Sequence, residues 1–470
     1  MTDEARRNIT VLITDEDSDA RRHAAEDLAP ESGLAPIAAL AAALQDPCKG
    51  VRDTACRSLL SIGGPDAARG VVEYVCSPDI VTRNLATDLL VKIGEPGIPA
   101  LLPYLSDVDQ DVRKSVVDVL GLIGTSVPPG MILGLLHDPD PNVVVSAVEA
   151  LGNMRAREAV AELEEVFGSC PYARPAVAEA LGKLGDPRSR EFVMKELRRS
   201  LSGPGDDPLT LLGLIEAAGA VGDSGALDAL SRGFSGIPPG IQCAALHAIT
   251  AIARRSCAPL PRIPGVERTL IVMLNREEIP LRLSAAAWFR ELGGPGALAP
   301  MVDAYGAAPE VDAVLGPALL ERPEALSVIV RALDSGAAPG ARARVALLSQ
   351  CVLSRISVIM RTGCSPGDED LVGSAFDAVA RAWEGADQDT RSSIVDAMFR
   401  LDGDRAVQFL DAMLEQPDPW LRMHVIEVIA AIADTRAPGY IARSLNDEDE
   451  MVRELAENLL RAKGFVSDEV

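Results

Sequence analysis

Between Leu105 and Gly124 the chain reads LSDVDQDVRKSVVDVLGLIG, and Val112, Val116, Leu120 and Ile123 recur three and four residues apart. That spacing sets them on one stripe of an α-helix. The polar residues before the stripe have a job of their own. Asp107 and Asp109 can accept from the free N–H groups of the helix start and suit its positive end, while Gly124 permits the backbone conformation that stops a helix. Just upstream, Ile98 to Leu105 (IPALLPYL) forms a separate apolar segment. The unit is therefore a helix, a polar turn and a second helix opened by a Val-Arg pair.

The unit recurs. Aligning the Arg of Val-Arg gives Arg21, Arg52, Arg83 and Arg113, then Val144 in the same slot, then Arg174, with steps of 31, 31, 30, 31 and 30 residues. The slot returns at Arg391, Arg422 and Arg453, two further steps of 31. A fixed period in this range predicts stacked repeats. Gly63, Gly94, Gly124 and Gly185 close second helices, and Pro65, Pro96, Pro128 and Pro187 follow shortly after, the expected stop signal. Strand-like alternation is hard to find. The register is clear over residues 13–197 and 387–464 and weaker between them. There, 216–223 (EAAGAVGD) and 281–293 (LRLSAAAWFRELG) still read as second helices, while the period is lost at 259–264 and 336–370. The predicted organisation is a regular array over 1–201, a degenerate middle over 202–385 and a regular array over 386–470. The first joint falls in Ser202 to Pro208 (SGPGDDP), whose Gly and Pro cannot continue a helix. Nine pairs in register and about four degenerate ones predict an all-α solenoid of about thirteen helix pairs.

Composition narrows the function classes. A chain of 470 residues with 48% hydrophobic content is too long for one ordinary core and too apolar for disorder. Aromatic residues make up only 3%, so the apolar share rests largely on Ala, Leu and Val, which suit closely packed helices. The formal net charge of -24 argues against a general nucleic-acid binder, since phosphate contacts need clustered Lys and Arg, and against docking on an anionic membrane. The eight cysteines (48, 56, 76, 170, 243, 257, 351 and 364) contain no C-x-x-C pair, which points to reduced thiols in a cytoplasmic protein. The start, MTDEARRN, lacks the apolar core of a secretory signal, and the apolar run from Leu34 to Leu44 is far short of the ~20 residues that span a bilayer. His23, His137, His247 and His424 lie in different repeats, and no H-E-x-x-H, G-x-S-x-G or G-x-x-x-x-G-K-[ST] occurs. No catalytic, metal or cofactor site is expected, and no enzymatic activity.

The repeats resemble HEAT repeats, in particular the short bacterial form also found in phycobilisome-lyase-like proteins. LQDPCKGVRDTACRSLLSIG (44–63) and AVAEALGKLGDP (176–187) carry the likeness. The resemblance implies an α-α superhelix of the HEAT/armadillo type with the second helices lining its concave face. It also implies that the turn Asp and helix Arg form a ladder between adjacent repeats, with Asp46 matching Arg52, Asp107 matching Arg113 and Asp447 matching Arg453. On that reading Arg21, Arg52, Arg83, Arg113, Arg174, Arg391, Arg422 and Arg453 are structural, where a column of arginines would otherwise suggest a grip on phosphates. The implied function is a scaffold or adaptor that binds another protein. A bilin lyase of the same repeat type would need a tetrapyrrole pocket and a partner carrying an acceptor Cys. A HEAT-like DNA glycosylase is disfavoured by the charge and by only three Trp.

Five residues after the Arg slot runs a second column: Glu26, Arg57, Asp88, Asp118, Glu149 and Glu179. At about 100° per residue it points about 160° away from the core stripe, toward the exposed face of the second helix. Arg22 and Lys114 lie four residues before Glu26 and Asp118 and could pair with them, but Asn84, Val145 and Pro175 hold that position before Asp88, Glu149 and Glu179. Unpaired carboxylates aligned over several repeats attract a basic partner, so Glu26, Asp88, Asp118, Glu149 and Glu179 are the candidate protein-binding residues. Two basic clusters, Arg254, Arg255, Arg262 and Arg268, then Arg342, Arg344, Arg355 and Arg361, read as ordinary surface charge ahead of a docking site.

Overall fold

The computed structural model describes residues 2–31, 33–203, 207–292, 295–334, 340–362, 370–431 and 436–462. Among them the chain is helical throughout, without a strand, and forms fourteen helix pairs. It divides into two compact units, Met1–Pro261 and Arg262–Val470. The first unit holds eight pairs, whose second helices are Ser18–Asp27, Lys49–Ile62, Ile80–Ile93, Gln110–Ile123, Pro141–Asn153, Arg174–Leu184, Pro208–Val221 and Gln242–Arg255. In the second unit six pairs follow, with second helices Ile279–Leu292, Pro309–Leu320, Ala341–Thr362, Gln388–Leu401, Pro419–Ala431 and Glu450–Ala462.

The expected count of about thirteen is one short because the middle contains five pairs, not four. Part of the stretch where the period disappears, 336–370, is the 22-residue helix Ala341–Thr362, while 335–339 and 363–369 lie outside the described residues. Residues 204–206 of the expected joint also lie outside them, and the flanking helices Arg190–Ser202 and Pro208–Val221 pack against each other. The expected boundary at 201/202 thus falls inside the first unit, and that at 385/386 inside the second.

Local chemistry explains where each second helix starts and stops. In the Asp-x-Asp turns the first carboxylate accepts from the N–H two residues on, as Asp107 does from Asp109 and Asp138 from Asp140. The second carboxylate caps the helix, Asp109 accepting from Asp111 N and Asp140 from Asn142 N. At the other end Gly63, Gly94, Gly124 and Gly185 all stop their helices with φ between 56° and 79°, a region that favours glycine. Between the caps the stripe is the core. Val112, Val116 and Leu120 are buried, and Ile123 is half-buried at the helix end.

Two kinds of fastening join one second helix to the next in the first unit. One is polar and reaches forward. Arg21 grips the carboxylate of Asp46 in the following turn with both Nε (2.8 Å) and Nη2 (3.0 Å), and Arg113 grips Asp138 in the same way (2.8 and 2.7 Å). In the second unit Arg422 does so to Asp447 (2.9 and 2.7 Å), and Arg391 donates to Gln416 Oε1 at 2.8 Å. The partner is always 25 residues ahead. The expected ladder between adjacent repeats is thus present, and its rungs join each Arg to the turn Asp of the following repeat instead of the motif-matched Asp of its own. Arg52, Arg113 and Arg453 reach the Asp of their own turn (46, 107 and 447) only through its main-chain carbonyl, at 2.7, 2.9 and 2.6 Å. The reason is geometric, since the turn folds its carbonyls back over its own helix and points its carboxylate at the preceding repeat. Arg52 and Arg83 meet no such carboxylate. Position 77 is a serine, and Arg83 donates to its carbonyl oxygen at 3.2 Å. Arg174 lies over the ring of Phe167 in its own repeat (5.5 Å to the ring centroid) and donates to that residue's carbonyl.

The other fastening is steric. A Cβ built on Gly121 would lie 2.8 Å from Cα and Cβ of Ala150 in the next second helix, one on Gly152 would lie 3.1 Å from Ala180, one on Gly182 3.3 Å from Ala217, and one on Gly219 3.1 Å from Ala248. From Gln110–Ile123 to Gln242–Arg255 the second helices thus touch backbone to backbone, which only Gly against Ala allows.

Candidate functional site

The glycine–alanine contacts bring the acidic column together. Asp118, Glu149 and Glu179 sit on three successive second helices held at this close spacing, and Glu216 on Pro208–Val221 continues the line. All of these side chains are exposed or half-exposed. Glu26 and Asp88 are exposed as well, but on the earlier helices where no such contacts occur.

The expectation that Asp88, Glu149 and Glu179 lack partners is corrected for two of the three. Asp88 pairs with Lys92 (2.6 Å) and Glu179 with Lys183 (2.8 Å), each using the lysine four residues after it. Asp118 pairs with Lys114 at 2.7 Å. Arg22 turns to Asp19 (3.5 Å) instead of Glu26. Glu149 and Glu216 have no ion-pair partner among the described residues.

These two carboxylates feel their surroundings. Both are held above the ordinary glutamate pKa. For Glu149 the largest cause is partial loss of water, followed by the negative charges of Asp118 and Glu179, with Lys114 and Lys183 opposing. For Glu216 it is again desolvation, then the charge of Glu179, opposed by Lys183. Close helix packing is the common origin, because it places like charges side by side and narrows their access to solvent.

Glu149, Glu179 and Glu216 line one groove of about 580 Å³ with Asp207 and with Val145, Pro171, Tyr172, Pro175, Leu209 and Gly213. Its apolar rim is open to solvent, Tyr172 being 66% and Leu209 63% exposed. The floor is rigid, since a Cβ on Gly213 would meet Ala178 Cβ at 2.8 Å and Glu179 N at 3.1 Å. Acidic walls and an apolar rim can take a cationic side chain together with the hydrophobic stem or neighbour that carries it.

Of the groove residues, Glu149 and Glu179 belong to the expected strip; Asp207, Tyr172, Leu209 and Glu216 do not. Glu216 occupies the equivalent helix position, but it follows Glu179 by 37 residues because that repeat is longer in sequence, so a fixed step passes over it. Tyr172 had a signal available: it is one of only five tyrosines in the chain and lies two residues before the start of the Arg174–Leu184 helix.

One arginine of each basic cluster is used inside the fold. Arg255 donates to the carbonyls of Gly219 (2.9 Å) and Gly222 (2.6 Å), where the preceding second helix ends. Arg344 is buried and donates to Val302 O (2.9 Å) and Asp303 O (2.8 Å), while Arg342 pairs with Asp389 at 3.2 Å. The side chain of Arg361 lies outside the described residues. Arg342 and Arg344 border a second groove of about 960 Å³ whose wall also carries Glu384, Asp387 and Asp389, so its charge is mixed. Among the described residues no group of three or more His, Cys, Asp or Glu is placed to hold a metal ion, and no helix is long and apolar enough to cross a membrane.

Solved structures with a similar helical arrangement include the karyopherin Kap121p bound to the extreme C-terminus of the protein phosphatase Cdc14p (14% identity, 99% of this chain and 63% of that one, TM-score 0.43). Yeast importin-beta, Kap95p, is another (15% identity, 97% and 68%, TM-score 0.41), as is Kap121p bound to RanGTP (11% identity, 99% and 59%, TM-score 0.45). The chain thus spans less than two thirds of the length of the Kap121p chains. No curated protein matches the sequence. The sequence itself matches the family of HEAT repeats over residues 6–90, 128–203 and 377–461, together just over half of its length. The register, the helix pairs and this match agree: the chain belongs to the HEAT-repeat family.

Proposed function

We propose that this chain is a non-enzymatic, cytoplasmic scaffold or adaptor that binds another protein on the face made by its second helices, the concave face of HEAT arrays, and that the partner presents a basic segment. The observation that carries the reading is the pair Glu149 and Glu216, two carboxylates on one groove without a cation of the chain's own among the described residues. Held beside Glu179, they are less comfortable ionised in the folded chain than in the unfolded one, and a partner's cation relieves that. Tyr172 and Leu209 supply apolar area next to the charge, the mixture that anchors an interface. The reading requires no cofactor, nucleic acid or membrane.

The test is binding of a short Lys- and Arg-rich peptide to the full chain, followed by fluorescence anisotropy at low and high salt. Affinity should fall as salt screens the field, over a Debye length of about 8 Å at physiological ionic strength. The double variant Glu149→Gln/Glu216→Gln should bind about tenfold more weakly or worse, as expected when two carboxylates facing a cation are lost. Its unfolding midpoint at neutral pH should hold or rise. The sign follows from the raised pKa values, because each carboxylate's penalty is present above its folded pKa and vanishes as pH falls through it, and the amide removes it at every pH. Unchanged affinity in the double variant would remove the groove from the function.

A further inference from the structure

The groove has a feature that bulk acidity does not require, a flat aromatic ring standing free at its edge. Tyr172 is 66% exposed and shares the groove with Glu149, Glu179 and Glu216. Exposed aromatic side chains are scarce here, in a chain with only 3% aromatic residues. The residue sits in the Pro171–Ala173 turn, between Pro171 and the Arg174–Leu184 helix, so the backbone that carries the ring is held at the groove's edge.

We propose that the groove is selective for arginine over lysine, taking a partner's guanidinium flat on the Tyr172 ring with its N–H fork turned to Glu149 or Glu216. This rests on the reading of the second-helix face as a binding surface for a basic segment and names the chemical group it selects. Three observations support it. A guanidinium is planar, weakly hydrated and able to stack on a ring while donating in its own plane to a carboxylate, whereas an ammonium is a compact, strongly hydrated point charge that gains less from a ring. The chain itself repeatedly sets a guanidinium over a ring: Arg174 lies over Phe167 (5.5 Å), Arg391 over Trp383 (5.5 Å) and Arg405 over Phe376 (4.4 Å), and Arg405 also pairs with Asp377 at 2.5 Å. The third of these is a ring and a carboxylate sharing one guanidinium. Tyr172 with Glu149 and Glu216 offers the same two elements in an open groove, with the place of the arginine left to a partner. Rigidity matters as well, since the backbone-to-backbone approaches of Gly152 to Ala180, Gly182 to Ala217 and Gly213 to Ala178 hold the helices that carry the carboxylates at a fixed spacing.

The experiment uses the full chain and two labelled peptides of identical sequence and charge, one with every cation Arg and one with every cation Lys, compared by anisotropy at one ionic strength. The Arg peptide should bind about five- to tenfold more tightly, the range expected for a stacked guanidinium at a partly exposed site. Tyr172→Leu, which keeps apolar area but removes the ring, should bring the two peptides to within about twofold, and Tyr172→Phe should keep the preference, since stacking does not need the hydroxyl. Two peptides bound equally well by the native chain would overturn the selectivity and leave the scaffold reading standing. A preference that survives Tyr172→Leu would overturn the role of the ring. If neither peptide binds, the proposed function fails, and the selectivity with it.

Discussion

Gly121→Ala puts two principles in opposition. Alanine is the better helix former, so at an unobstructed helical site the change stabilises by about 0.5–1 kcal/mol. At position 121 the new methyl would sit 2.8 Å from both Cα and Cβ of Ala150. Carbon atoms rest at about 3.5–4.0 Å, so the Gln110–Ile123 and Pro141–Asn153 helices must part by a large fraction of an ångström, which forfeits about a quarter to a half of the dispersion energy along their contact. Overpacking of this kind costs about 1–3 kcal/mol. The steric cost exceeds the propensity gain, and the expected net loss is about 1–2 kcal/mol. Gly168 in the Val160–Ser169 helix is the control, because nothing lies within 4 Å of the place its methyl would take, and Gly168→Ala should be neutral or stabilising. The assay can separate the two units. All three tryptophans, Trp288, Trp383 and Trp420, lie in Arg262–Val470, so tryptophan fluorescence follows that unit while far-ultraviolet circular dichroism follows both. Gly121→Ala should lower the urea midpoint seen by dichroism and leave the fluorescence midpoint in place. If Gly121→Ala is as stable as the native chain or as Gly168→Ala, the helices are not held at backbone contact and the account of the rigid groove floor fails with it.

Arg422→Ala removes a guanidinium that is 4% exposed and leaves Asp447, 11% exposed, without its bidentate donor. Breaking a buried pair from one side costs about 3–5 kcal/mol, and the edge position favours the lower end, so a drop of about 3 kcal/mol in the second unit is expected from urea titration followed by fluorescence. A loss well below 1 kcal/mol would mean the rung is ornamental. His424 Nε2 lies 3.2 Å from Asp396 Oδ1 on the neighbouring second helix, and that carboxylate is the largest cause raising its pKa. A raised histidine contributes stability in full below its unfolded value of about 6.5 and loses it as pH rises through the folded value. The native chain should therefore lose more thermal stability than His424→Gln between acidic and mildly alkaline pH; parallel pH curves would refute the link.

Much of the fold was legible because its signals are local. The Val112, Val116, Leu120 stripe, the Asp109 cap and the positive-φ stops at Gly63, Gly94, Gly124 and Gly185 all depend on a few adjacent residues, and each appears in the structure as the sequence implies. What joins repeats was less legible. A ladder between repeats was expected from the motif that holds Asp46 and Arg52, but that Asp46 takes Arg21, 25 residues back, while Arg52 takes only its carbonyl, depends on where a turn points its carboxylate, which is a property of stacking. The strip was read from helix geometry, but the lysines four residues after Asp88 and Glu179 neutralise those positions, and the groove depends on Tyr172, Asp207 and Leu209, which lie outside the repeat register. A glycine inside a helix gives no local signal of its purpose, and that of Gly121 appears only once Ala150 is seen against it.

Two fastenings of the first unit coincide at the junction where Arg113 holds Asp138 and Gly121 meets Ala150. From there onward the glycine contacts continue without a break to Gly219 and Ala248, and before it the polar clasp of Arg21 on Asp46 stands alone. Between them, Arg52 and Arg83 close on no carboxylate, and what crosses these junctions is lighter, such as Thr82 Oγ1 donating to Leu44 O at 3.4 Å. Pulled from its ends, such an array would not lengthen evenly. Strain would collect in the Lys49–Ile62 and Ile80–Ile93 repeats and spare the groove, so a partner could tug on the early repeats without disturbing the spacing of the charges that hold it.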